Sequence, residues 1–276
     1  MYKTSLILLA FIQLVSCHSQ PPKPGTGQAQ TMPPARLLKF DTVQKVIHVF
    51  VALCDNKHQG IIPVPPAIGN GQDPNSNLYW GCDAGLRTYF KKSREWQLVR
   101  RYKVDTVRLE RVVFKHKTKP YYLIADAYDG RFIKQCTIDF LRSCSGQDKD
   151  TLRINGATLG IDGNARLISY IGHDGLMDFR LTERFQNTDS LKRDAIILAC
   201  ISKKYFSPFL LPTGAQPLVW TTGLMCPEAY TLHDAVSSYI RSASVEDIRT
   251  SAAKAYASNQ RCSEKAAKNL LVSGWK

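Results

Sequence analysis

The 276-residue sequence contains no HExxH, no Cys-x-x-Cys, no glycine-rich phosphate loop and no Gly-x-Ser-x-Gly elbow. Those absences argue against zincins, the common cysteine-ligated metal sites, P-loop enzymes and serine α/β-hydrolases. No metal and no other cofactor is expected. No segment repeats, which speaks against solenoids and propellers. Beyond the first sixteen residues, no apolar run approaches the roughly 20 residues that a membrane span needs. Acidic residues are few, 23 against 37 lysines and arginines, and the formal net charge is +14. So basic a surface suits anionic lipid, glycan or nucleic acid. Zinc-finger and RNA-motif spacings are missing too, so no nucleic-acid partner is expected. The basic surplus, partly in KKSREWQLVRRYK (91–103) and KHKTK (115–119), reads as a solvated face.

Hydrophobic residues at 44% with 22% charged fit a folded chain. Its length allows one large domain or two small ones. Residues 1–16, MYKTSLILLAFIQLVS, carry one lysine and an apolar run of about a dozen residues, the pattern of a secretory signal peptide. Leu14-Val15-Ser16-Cys17 then resembles the lipobox of bacterial lipoproteins. That resemblance implies acylation of Cys17, a membrane partner reached through the lipid, and an exported protein held in the bacterial cell envelope, periplasmic or at the cell surface. Residues 17–36, rich in Pro, Gln and Gly, read as a flexible tether. One α/β domain ending in helices is expected over 37–276.

Seven cysteines follow Cys17: Cys54, Cys82, Cys136, Cys144, Cys200, Cys226 and Cys262. In an oxidising compartment disulfides are expected, and an odd count leaves at least one thiol free. Cys136 and Cys144 fall eight residues apart on one predicted helix, about 12 Å, too far to pair.

KVIHVFVAL (45–53) reads as a strand buried on both faces, with His48 a satisfied core or edge histidine and not a ligand. The Pro/Gly/Asn-rich stretch 60–81 is long enough to border a site. Asp83–Arg101 is predicted helical, with Leu86, Phe90 and Trp96 on its apolar positions. Residues 107–130 give two strands around a basic turn, and Arg131–Arg142 a helix. Ala165–Ile171, Asp194–Ala199 and Pro217–Thr222 read as further strands. Glu228–Ile240 reads as a helix, and Ser244 as the N-cap of another that carries acids in its first turn. Strands with intervening helices argue for a mostly parallel sheet with helices on both faces. In such sheets, sites form beyond the carboxyl ends of strands.

Two strand ends carry chemistry. LISYIGHDG (167–175) closes on His173 between glycines, and AIILACIS (195–202) closes on Cys200. An imidazole beside a thiol favours the thiolate and can shuttle its proton, while glycine-flanked amides can reach an oxyanion. Leu167-Ile168-Ser169-Tyr170-Ile171-Gly172-His173 and Ile196-Ile197-Leu198-Ala199-Cys200-Ile201-Ser202 together resemble the caspase, legumain, gingipain and separase class of cysteine peptidases. The resemblance covers most of 37–276. It implies a caspase-like three-layer sandwich and a peptide or protein substrate, with Cys200 attacking the carbonyl and His173 protonating the leaving amine. It also points to the Asp174 or Gly175 amide as oxyanion donor, and to Asp55 and Ser202 near the substrate pocket. The chain departs from the pattern where Asp174 intervenes between His173 and Gly175, and in a short spacing of 27 residues from His173 to Cys200. The alternatives are a non-catalytic pseudoenzyme or binding module of the same fold, and a different α/β fold in which both motifs are packing features. His58, His116 and His233 read as isolated, exposed histidines.

Overall fold

The computed structural model describes residues 39–275. The signal segment, the tether up to Arg36 and Cys17 lie outside the described residues. KVIHVFVA forms strand β1 (Lys45–Ala52), buried from its second residue onward. A long loop leads to helix α1 (Leu86–Lys92), which stops at Ser93. The helix expected as far as Arg101 is instead cut short by strand β2 (Trp96–Tyr102), antiparallel to β3 (Arg108–His116). The Trp96 ring meets Phe90 of α1 at 5.8 Å and His116 of β3 at 5.1 Å, centroid to centroid. The spacing of Leu86, Phe90 and Trp96 therefore arises from a helix and a strand sharing one core, not from one helix face.

Strand β4 (Tyr121–Tyr128) and helix α2 (Ile133–Ser145) follow, close to expectation. Next comes a hairpin that the sequence reading did not anticipate, β5 (Lys149–Ile154) and β6 (Ala157–Asp162), a separate two-stranded sheet. Its turn is Asn155-Gly156, with φ of 47° and 80°, the left-handed pair that a two-residue hairpin turn favours. Then come β7 (Leu167–Ile171), β8 (Asp194–Leu198), α3 (Ser202–Leu210) and β9 (Gln216–Thr221). The chain continues through α4 (Ala229–Ile240), α5 (Val245–Gln260), α6 (Glu264–Leu270) and the short β10 (Leu271–Val272). Ser244 caps α5 as its sequence predicts, accepting the Asp247 N–H at 3.1 Å.

The main sheet runs β10-β9-β8-β7-β1-β4-β3-β2. Its middle, β4, β1, β7, β8 and β9, is parallel, and β2, β3 and β10 are antiparallel additions at the two margins. Alternation along β1 sends Ile47, Val49 and Val51 into a core shared with α1, α4 and α5, and Val46 and Phe50 into one shared with α2 and α3. Helices thus cover both faces, which is why these strands read as continuous apolar runs. The chain leaves β1 toward β4 on one side and later returns as β7 on the other. That reversal about β1 is a switch point of the kind beyond whose carboxyl strand ends ligands of such sheets bind.

His48 sits wholly buried inside β1 in a charged chain. Its Nε2 stands 3.2 Å from Asp126 Oδ2, and Arg111 clasps the same carboxylate at 2.5 and 2.6 Å. Asp162 offers Nδ1 its N–H at 3.0 Å and its carboxylate at 3.2 Å, so the ring meets a donor when neutral and an acceptor when charged. Burial lowers the histidine's affinity for a proton, but the bonds to Asp126 and Asp162 outweigh it and leave the pKa raised. Burial likewise opposes ionisation of Asp126, and Arg111 and His48 reverse that, holding it well below the usual carboxylate range.

Candidate functional site at the carboxyl rim of the sheet

β7 and β8 are parallel neighbours paired in register from Leu167–Asp194 to Ile171–Leu198. The Gly172 N–H extends the ladder by one bond, donating to Leu198 O at 3.2 Å. His173 and Cys200 each stand two residues beyond the last pair, so they leave the rim at the same level. Gly172 has φ of 150°, and a Cβ there would lie 2.8 Å from Ala52 O on β1. Only glycine lets the chain turn so tightly against β1 before the histidine.

Cys200 lies on the turn between β8 and α3. The next residue, Ile201, adopts the left-handed conformation with φ of 51°, a strained state for a β-branched side chain that costs on the order of 1–3 kcal/mol. The half-buried Cys200 thiol lies 3.5 Å from Met225 O and receives the Met225 N–H at 3.3 Å. Burial pushes its pKa up, as does the Asp174 charge, against the lowering effect of the Met225 N–H. The imidazole of His173, 7% exposed, bonds through Nε2 to Asp178 Oδ2 at 2.7 Å. The two side chains therefore hydrogen-bond to Asp178 and Met225 and not to each other.

Asp174 is fully buried and caps a short turn, accepting the Leu176 N–H at 3.1 Å through Oδ1. Its Oδ2 is buried without a partner among the described residues. Burial pushes the carboxyl up to about 7, helped by the neighbouring Asp178 charge and opposed by the Leu176 N–H. The Gly175 N–H donates to His173 O at 3.1 Å. The Asp174 N–H has no partner among the described residues.

The two residues expected near a substrate pocket serve the scaffold instead. Asp55 is 1% exposed. Its carboxylate accepts the Lys57 and His58 N–H groups, His58 Nδ1 and Gln72 Nε2. Burial opposes its ionisation, but Gln72, Lys57 and His58 outweigh it and lower its pKa. With both oxygens engaged, it has none to offer an incoming cation. Ser202 is fully buried and hydrogen-bonds to Ile197 O and Thr221.

The long loop after β1 borders this rim and is held by side-chain amides. Asn77 accepts the Cys54 N–H at 3.1 Å and donates to Cys54 O at 2.8 Å, mimicking a strand partner. Gln59 donates to Leu53 O and Gly130 O, and Gly60 donates its N–H to Asp178 Oδ2 at 2.9 Å. Asp178 and Met225 escaped sequence reasoning. Asp178 stands five residues after His173 in the same turn, a signal that was present; Met225 engages through its backbone and leaves none.

Compared with protein-family models, curated proteins and solved structures, the chain matches none.

All seven cysteines from Cys54 to Cys262 are free thiols. Among the described residues no helix is long and apolar enough to cross a membrane, and no cluster of His, Cys, Asp and Glu is arranged to hold a metal ion. The three histidines expected to be isolated are not. His58 bonds to Asp55, and buried His116 accepts the Thr118 and Lys119 N–H groups. His233 links Ser93 Oγ and Asp234 Oδ1, each at 2.9 Å. That serine–histidine–aspartate chain is a brace between α4 and the end of α1. Ser93 Oγ accepts the Glu95 N–H, and the Glu95 carboxylate lies 3.6 Å from His233 Nε2, where an oxyanion would be repelled.

Proposed function

We propose that the chain is a cysteine peptidase-like protein with a caspase-like three-layer fold, using His173 and Cys200 as its working pair. The observation that carries this reading is the emergence of both residues at one level from adjacent parallel strands, Ile171 facing Leu198 two residues before them. The strained turn at Ile201 adds support, because such strain concentrates where a reactive side chain must be held out from a strand end. In the reaction, the Cys200 thiol gives its proton to His173 and the sulfur attacks the peptide carbonyl carbon. His173 then returns the proton to the leaving amine as the C–N bond breaks, and water hydrolyses the thioester. The unpartnered Asp174 N–H is one of the two expected donors for the oxyanion. Bonds of this kind often tighten only once substrate is bound, which fits a resting state in which thiol and imidazole pair elsewhere.

The deciding experiment is labelling with an acyloxymethyl-ketone probe, using Cys226→Ser as a control for the exposed neighbouring thiol. Labelling that disappears in Cys200→Ala supports the reading; equal labelling of both forms sinks it. A second reading, a non-catalytic binding module on the same fold, is favoured by a thiol whose pKa burial has raised and which is not bonded to His173. It predicts no labelling at all. We also propose lipid anchorage through Cys17, on the strength of the lipobox alone. Cys17→Ser is expected to leave membranes in a fractionation assay, and membrane retention of that variant refutes the anchor.

A further inference from the structure

We propose that Asp178 is the positioning residue for His173, and that the Gly60 amide locks Asp178 in that role. The inference rests on the His173–Cys200 reading for its chemical meaning, though not for its geometry. One carboxylate oxygen, Asp178 Oδ2, lies 2.7 Å from His173 Nε2 and accepts the Gly60 N–H at 2.9 Å. The Asp178 backbone is itself fixed, since its N–H donates to Gly175 O at 2.9 Å. A carboxylate at Nε2 selects the tautomer that carries its hydrogen there and leaves the Nδ1 lone pair to accept the thiol proton. In that reading, the ring nitrogen left free to take the thiol proton is chosen by Asp178.

The Gly60 side of the lock is steric as well as polar. A Cβ at Gly60 would overlap Asp178 Oδ1 and stand 2.9 Å from its Cγ. Alanine there adds no charge and removes none, yet must displace the carboxylate. The long loop after β1 thus bears directly on the orientation of the histidine.

Two measurements separate this inference from the reading beneath it. The first is the His173 tautomer by ¹³C and ¹⁵N NMR, with the resonance assigned by its loss in His173→Gln. The wild type is expected to be Nε2–H when neutral, and both Asp178→Ala and Gly60→Ala to give a mixture. The second is the rate of acyloxymethyl-ketone labelling of Cys200 against pH. Both variants are expected to label at least about tenfold more slowly near pH 7, with a profile displaced toward higher pH, since positioned proton transfer contributes ~10²–10⁴. Asp178 is about one-third exposed, so its removal leaves the core intact. An unchanged tautomer in Asp178→Ala overturns the positioning role. A change in Asp178→Ala but not in Gly60→Ala overturns the lock. A wild type that never labels overturns the peptidase reading, while the tautomer still decides the role of Asp178.

Discussion

Ser202 and Thr221 exchange hydrogen bonds across the sheet margin. The Ser202 N–H donates to Thr221 Oγ1 and the Thr221 N–H donates to Ser202 Oγ, each at 3.0 Å, with both residues fully buried. Ser202 Oγ also bonds to Ile197 O. The pair fastens the start of α3 to β9, directly behind the turn that carries Cys200. Ser202→Ala leaves the Thr221 N–H without its acceptor, and burying an unsatisfied group costs about 1–3 kcal/mol. A lower urea midpoint with an unchanged slope is the expected result. A loss of function at unchanged stability would instead return Ser202 to the substrate pocket.

The thiols should react in an order set by burial. Cys226 and Cys262 are exposed, Cys82 and Cys200 intermediate, and Cys54, Cys136 and Cys144 buried. Burial pushes the Cys54 thiol up to about 11 and also raises the Cys136 and Cys144 thiols well above the ordinary thiol range. Timed iodoacetamide alkylation read by peptide mass spectrometry is expected to modify Cys226 and Cys262 first. Cys54, Cys136 and Cys144 should react only after unfolding. Early modification of Cys136 would show that α2 opens locally.

Asp174 gives the site a pH signature. Its pKa rises from an ordinary ~3.9 to about 7 in the folded chain. The native state therefore keeps a proton that the unfolded state releases. This contribution to stability is full below about 3.9 and lost as pH rises through 7. Asp174→Asn, neutral throughout, is expected to match the wild type near pH 4. At pH 8 it should be more stable by an amount on the order of 1–3 kcal/mol, given ~1.4 kcal/mol per pKa unit. Removing the Asp174 charge should also speed Cys200 alkylation at pH 8, since that charge helps to raise the thiol's pKa. Denaturation at the two pH values and a single-site alkylation rate test both statements.

The charged chain through His48 acts in two windows. Asp126, its pKa depressed, stabilises the fold above about 3.9, and that contribution is lost as pH falls toward its folded value. His48, its pKa raised, contributes fully below about 6.5, and that share is lost as pH rises through its folded value. Arg111→Met should cost about 3–5 kcal/mol, because it strands a buried carboxylate. His48→Phe should flatten the alkaline side of the stability profile and weaken the acid side less than Arg111→Met does, since His48 is the lesser of the two groups that hold Asp126 ionised. A pH-independent loss in both variants would mean that packing, not charge, holds this chain together.

The parallel core was legible because strands covered by helices on both sides must be apolar throughout, as in KVIHVFVA and DAIIL. α2 and the Ser244 cap were legible from local chemistry that needs no partner. β2 was not, since an edge strand with Arg100 and Arg101 alternates weakly and its pairing with β3 is a long-range fact. The β5–β6 hairpin announced itself in Asn155-Gly156, but its short flanks are too polar to stand out. Within the candidate site, His173 and Cys200 could be found because strand ends mark where a sheet presents side chains. Asp55 and Ser202 misled because sequence position says nothing about whether an oxygen is already engaged. The Met225 clamp left no trace, since any residue has a backbone.

Gly60 and Asp178 are 118 residues apart in the chain. The loop after β1 must dock on the turn after β7 for the bond between them to form. Until it does, Asp178 lacks one of the two hydrogens that hold its Oδ2. The setting of the His173 ring therefore depends on a contact between two segments that are far apart in the chain.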